Sequence, residues 1–181
     1  MTLPSSLFFI SLGLFPFTQA IAELKIGDPA PGFELIDQNG ELQSLEAYRG
    51  NWVVLYFYPK DDTPGCTTEA CRFRDDYLRL SEMGARVLGV STDDLSSHQT
   101  FSEKYHLPFP LLSDAKGEVA SRYGALFKIG PLRFAKRHSF IIDPQGRLAD
   151  IYRDVSPKHH SSEIIARLGV LMREASLPGK E

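Results

Sequence analysis

The chain has 181 residues, enough for one domain and too few for two. Hydrophobic residues at 43% and charged residues at 24% are ordinary for a globular protein. A formal net charge of −3, with no run of basic residues, argues against nucleic acid or an anionic membrane as a partner.

Residues 1–22 carry no charged side chain, and Leu7 to Phe17 is apolar apart from Ser11, Gly13 and Pro16. That run of about 11 residues is shorter than the roughly 20 a membrane-crossing helix needs. Ala20-Ile21-Ala22 has the small-x-small pattern of a signal-peptidase site. The expectation is a cleaved export signal over 1–22 and a folded domain over 23–181. Its destination would be a periplasm or a thylakoid lumen, with no stable membrane insertion after cleavage. Residues 1–22 also lack Lys and Arg, which leaves an unused signal as the alternative. In that case the protein is cytoplasmic or membrane-anchored.

Phe33-Glu34-Leu35 alternates like a short strand, and Asp37-Gln38-Asn39-Gly40 is a turn signal. Ser44 to Tyr48 allows one helical turn. Trp52 to Tyr58 is continuously apolar, as in a central strand buried on both faces, with Trp52 a core residue. A helix is predicted from Thr63 towards Gly84, with Thr63 at the N-cap and Pro64 at the first helical position. Cys66, Ala70, Phe73, Tyr77 and Leu80 recur on one inward face of it. Arg86 to Ser91 is a second buried strand, and Asp94 to His106 a polar helix. Phe109 to Leu112 reads as a short strand and Gly117 to Tyr123 as a short helix. His138 to Asp143 and Leu148 to Tyr152 flank Pro144-Gln145-Gly146 and read as a hairpin. Ser162 to Glu174 closes the chain as an amphipathic helix. Strands alternate with helices before a hairpin and a last helix, which predicts an α/β fold: a mixed sheet with helices on both faces.

Both cysteines lie in the stretch from Pro59 to Cys71, between the first buried strand and its helix. A thiol near a helix N-terminus lies at the positive end of the dipole, where a thiolate is favoured. On an ideal helix, Cα atoms five residues apart are roughly 8.7 Å apart and about 140° around the axis. A disulfide wants them no more than about 7 Å apart. If both cysteines are helical they cannot bond unless the first turn unwinds. The spacing therefore points to a switch between a helical dithiol and a locally unwound disulfide. A structural bridge is the alternative, but closing so short a loop constrains the unfolded chain little. Zinc would want a C-x2-C pairing, which is absent, and no metal site is expected. Glu69 reads as an acid complementing the helix dipole, or as a residue ordering Arg137. His98, His106, His138, His159 and His160 read as surface or packing residues.

The string Phe57-Tyr58-Pro59-Lys60-Asp61-Asp62-Thr63-Pro64-Gly65-Cys66-Thr67-x-Glu69-x-Cys71 resembles the active-site signature of the peroxiredoxins, in its bacterioferritin-comigratory or peroxiredoxin Q form. Gly27-Asp28-Pro29-Ala30-Pro31-Gly32-Phe33 and Arg137-x-Ser139-Phe140-x-Ile142-Asp143 match in order and spacing. The resemblance covers roughly residues 24 to 172, and Ala125 to Lys136 departs from the group's wording.

It implies a thioredoxin fold and a thiol peroxidase acting on hydrogen peroxide and organic hydroperoxides. Cys66 would be the peroxidatic thiol and Cys71 the resolving one. Thr63 would hydrogen-bond the thiolate or the peroxide, Pro64 would shield the site, and Arg137 would set its charge against sulfur and peroxide oxygen. A thioredoxin-like dithiol would reduce the disulfide, no cofactor would be needed, and the protein would be a monomer. A protein disulfide reductase and a redox-sensing module are the rival readings.

Overall fold

A run of apolar residues can be buried on both sides only at the middle of a layered sheet. The computed structural model describes residues 23–177. The expected signal over 1–22 lies outside them. A small hairpin comes first, β1 (Glu34–Ile36) and β2 (Leu42–Ser44), followed by a 3-10 turn at Leu45–Tyr48 capped by the Ser44 hydroxyl. β3 (Trp52–Phe57) is followed by α1 (Pro64–Asp75), α2 (Tyr77–Glu82) and β4 (Ala85–Ser91). Then come α3 (Leu95–Tyr105), β5 (Leu111–Ser113), α4 (Glu118–Arg122), β6 (Leu126–Ile129), β7 (Leu132–Ala135), β8 (Ser139–Ile142), β9 (Leu148–Tyr152) and α5 (His160–Ser176).

The main sheet has the order β5-β4-β3-β8-β9. β3 is parallel to β4 and antiparallel to β8, so the sheet is mixed, as expected. Alternate residues of β3 feed two cores. Val54 and Tyr56 pack with Cys66, Ala70 and Phe73 of α1 and with Ile164 and Leu168 of α5. Val53, Leu55 and Phe57 pack with Val119 and Ala120 of α4 and with Phe140 and Ile142 of β8.

Three local expectations change. The helix predicted to run to Gly84 breaks at Asp76, between α1 and α2. Ser161 of α5 donates to the Asp76 carboxylate at 2.6 Å, a tertiary contact that the local helical period does not carry. The β1 strand has a partner, β2, and Ala125 to Lys136 contains the β6–β7 hairpin; neither β2 nor this second hairpin was anticipated. Trp52 packs against the edge of the core and is only partly buried.

Among the described residues, no helix is long and apolar enough to cross a membrane, and no cluster of His, Cys, Asp or Glu could hold a metal ion.

Candidate active site

β3 ends at Phe57, and six residues lead from it to α1. Thr63 is the N-cap residue by its extended backbone, and Pro64 is the first helical residue. Thr63 makes no side-chain cap, however. Its hydroxyl instead donates backwards to the Lys60 carbonyl at 3.0 Å. The first bond of the helix runs from Thr67 N–H to Thr63 C=O. The N–H groups that a cap would take, those of Gly65 and Cys66, are therefore left for a ligand.

Cys66 lies on the inward face of α1 and is 1% exposed. Cys71 is half-buried on the same helix, and the two sulfurs are unbonded. Arg137 arrives from the segment that leads into β8, the neighbour of β3 in the sheet. Ser139 of β8 pairs with Tyr56 of β3, and Phe57 N–H donates to His138 C=O. That register carries Arg137, the residue just before His138, over the end of β3. Its Nη2 donates to Cys66 Sγ at 3.3 Å, and its Nη1 donates to Glu69. A Cβ on Gly65 would stand 3.2 Å from Arg137 Nη2, so a bare backbone here gives the guanidinium room. Pro157, in the loop after β9, closes the same corner.

Glu69 overturns the dipole reading. It is fully buried, one turn beyond Cys66, and paired with Arg137. Burial pushes its carboxyl up to about 7, while the Arg137 charge and hydrogen bond pull the other way. Burial outweighs the Arg137 charge, so the fold favours the protonated carboxyl, whose one hydrogen-bond partner is Arg137. The second Glu69 oxygen and the Tyr56 hydroxyl are both buried without a hydrogen-bond partner.

The histidines are also more specific than packing. His98 and His160 are fully buried. His160 shares a 2.8 Å hydrogen bond with Ser139, and His98 lies 2.8 Å from the Asp61 carboxylate. His159 is exposed beside a buried His160, so the adjacent pair does not converge.

Cys66, Arg137 and the open helix start are thus brought together, with Thr63 at the N-cap and Pro64 in the first turn. Cys71 stays apart. Glu69 could be suspected from the sequence, whereas Pro157 left no local signal because only the fold brings it near.

A buried sulfur beside a guanidinium, on a thioredoxin-like mixed sheet, defines a thiol-based redox enzyme. Residues 26–151 match the AhpC/TSA family model. The putative peroxiredoxin bcp of Coxiella burnetii is 43% identical over 151 residues, which is 80% of this chain and 99% of that protein. The chloroplastic peroxiredoxin Q of Populus jackii is 41% identical over 81% of this chain and 69% of its own length. A crystal structure of peroxidoxin BcpB from Mycobacterium tuberculosis superposes with a TM-score of 0.77 at 36% identity. It covers 82% of this chain and 98% of that one. The chain belongs to the AhpC/TSA family. Within it, the sequence groups with the Bcp and peroxiredoxin Q enzymes, and its activity is that of a thiol-dependent peroxidase.

Proposed function

We propose that Cys66 is the peroxidatic thiol of an atypical two-cysteine peroxidase and that Cys71 resolves it within the same chain. The reading is carried by Arg137, a guanidinium braced on Glu69 and hydrogen-bonded to the Cys66 sulfur at 3.3 Å. Acidity alone is a weak source of rate for any thiol, because nucleophilicity falls as the thiol becomes more acidic. Donors aimed at the breaking O–O bond contribute more. Arg137 and the uncapped N–H groups of Gly65 and Cys66 are suited to that. The Thr63 proton is committed to Lys60, so in the resting state its oxygen can accept from a peroxide O–H. Pro64 shields the helix start.

The cycle balances without a cofactor. Cys66 thiolate takes the terminal OH of the hydroperoxide. The O–O bond breaks, sulfur is oxidised to a sulfenic acid, and the departing oxygen picks up a proton and leaves as water or alcohol. The first turn of α1 then unwinds. Cys71 attacks the sulfenic sulfur, a disulfide forms, and water leaves. A thioredoxin-like dithiol reduces the bridge and becomes a disulfide itself. Hydrogen peroxide and organic hydroperoxides are the substrates. The protein acts as a monomer after export, with residues 1–22 as the cleaved signal and a periplasm or thylakoid lumen as its site of action.

Intact mass after one equivalent of peroxide tests this. The wild-type protein should lose two hydrogens, and Cys71→Ser should gain one oxygen and then lose thioredoxin-supported turnover. Full turnover in Cys71→Ser would remove Cys71 from its role. Insulin reduction without peroxide consumption would mark a disulfide reductase instead.

A further inference from the structure

We infer that Asp61 and His98 form a positioning pair that holds the loop before α1, and that this hold decides how oxidised Cys66 divides between a bridge to Cys71 and further oxidation. The inference rests on the assignment of Cys66 and Cys71 above.

The turn between β3 and α1 is tied to α3 rather than to α1. Asp61 is 7% exposed, and its carboxylate collects three groups. The Tyr58 hydroxyl donates to Oδ1 at 2.8 Å. The Ser97 hydroxyl and His98 Nδ1 reach Oδ2 at 2.8 Å each. The Asp61 backbone N–H donates to Asp93 Oδ2 at 2.9 Å, and Ser91 holds the same oxygen at 2.7 Å. Tyr58 and His98 are themselves buried, so water cannot replace these partners cheaply. His98 Nε2 finds no partner. A bare lone pair there costs less than a stranded N–H, which puts the proton on Nδ1, donating to Asp61.

The neighbouring residue repeats the attachment at the surface. Asp62 sits in the left-handed region at φ 56°, and its carboxylate accepts from Lys104 at 2.6 Å and from the Tyr105 hydroxyl at 2.7 Å. Both partners belong to α3. Solvent weakens this second tie, so the buried one dominates.

Two reactions compete for the sulfenic acid. Cys71 can displace its oxygen as water, which requires the first turn to open. Alternatively, the ionised sulfenate takes the terminal oxygen of a second hydroperoxide. The O–O bond breaks, that oxygen's proton passes to the departing oxygen, and a sulfinate remains as water or alcohol leaves. This second reaction needs no opening. A firm hold on Asp61 keeps Thr63 and the first turn in place and favours the sulfinate. A loosened hold favours the disulfide.

The test uses His98→Phe, which removes the buried donor while keeping an aromatic ring, and Ser97→Ala, a milder loss that keeps the proposal testable if the first variant folds poorly. Amide hydrogen exchange at Thr67, whose N–H makes the first bond of α1, should quicken by about tenfold in His98→Phe and less in Ser97→Ala, with α5 unaffected. At fixed excess peroxide with reductant present, the sulfinate-to-disulfide ratio from intact mass should fall by a similar factor. The first oxidation, measured in the Cys71→Ser background, should keep its rate. An unaltered ratio in both variants overturns the proposal, as does exchange that quickens equally in α5. If Cys66 takes up no oxygen even in the unmodified protein, the assignment above fails and carries this proposal with it. Normal oxidation with an unaltered ratio sinks this proposal alone.

Discussion

Arg137 touches a sulfur and a carboxylate through two different nitrogens, which a planar guanidinium can do and a single ammonium cannot. Arg137→Lys would keep the positive charge and lose one of the two contacts. If charge were the whole role, the variant would be nearly as fast as the wild type. If aimed donation matters, the second-order rate with hydrogen peroxide should fall about a hundredfold, the usual cost of one lost transition-state donor. Stopped-flow peroxide consumption decides between them. Glu69 belongs to the same unit. It fixes the guanidinium from below, at the cost of burying a carboxylate that has only one partner for two oxygens.

At the scale of elements, β4 contains a glycine for a reason its own sequence does not give. Gly89 pairs with Tyr56 across β3 and β4. The Tyr56 ring leans over it and stacks on Phe73 of α1 at 4.9 Å. A Cβ at position 89 would sit 2.8 Å from the Tyr56 hydroxyl and 2.9 Å from Leu111. Neither neighbour has space to retreat, since both are buried. Gly89→Ala should cost about 1–3 kcal/mol of stability in urea unfolding, through overpacking beneath the helix that carries Cys66. A loss below the error of the midpoint would show that the sheet yields more easily than this packing allows.

For the whole molecule, three buried titratable groups set opposing trends with pH. Glu69 sits at about 7, against 4.5 for a free carboxyl, chiefly through burial. Its stabilising contribution is complete below about 4.5 and is lost as pH rises through 7. His138 and His160 are both lowered from 6.5 to about 4. Burial is the larger cause for each, followed by Arg153 and Lys136 for His138 and by Arg137 for His160. Their contribution is complete above 6.5 and is lost as pH falls towards 4. Between 4.5 and 6.5 two histidines oppose one glutamate, and above 6.5 the glutamate acts alone. Stability from these groups should therefore peak near pH 6.5. Urea midpoints from pH 4.5 to 8 would trace the curve. Glu69→Gln should flatten its alkaline side, and an unchanged alkaline slope in that variant would remove Glu69 as the cause.

Much of this was legible along the chain because local rules govern it. The apolar run of β3, the Thr63-Pro64 helix start and the 3.6-residue period that puts Cys66 inward all depend on near neighbours. The motif around Cys66 named the chemistry through its resemblance to the peroxiredoxin signature. What lay beyond reach came from distant parts of the chain meeting. Glu69 and Arg137 are 68 residues apart, and only the β3–β8 register joins them. Ser161 bonds Asp76 at a helix break 85 residues before it, and His98 bonds Asp61 from a different helix. Local sequence settled which side chains could do redox chemistry, because spacing and helix dipoles act over a turn or two. Tertiary structure alone decided which charges face one another in the absence of water, because burial and partner are properties of the assembled layers.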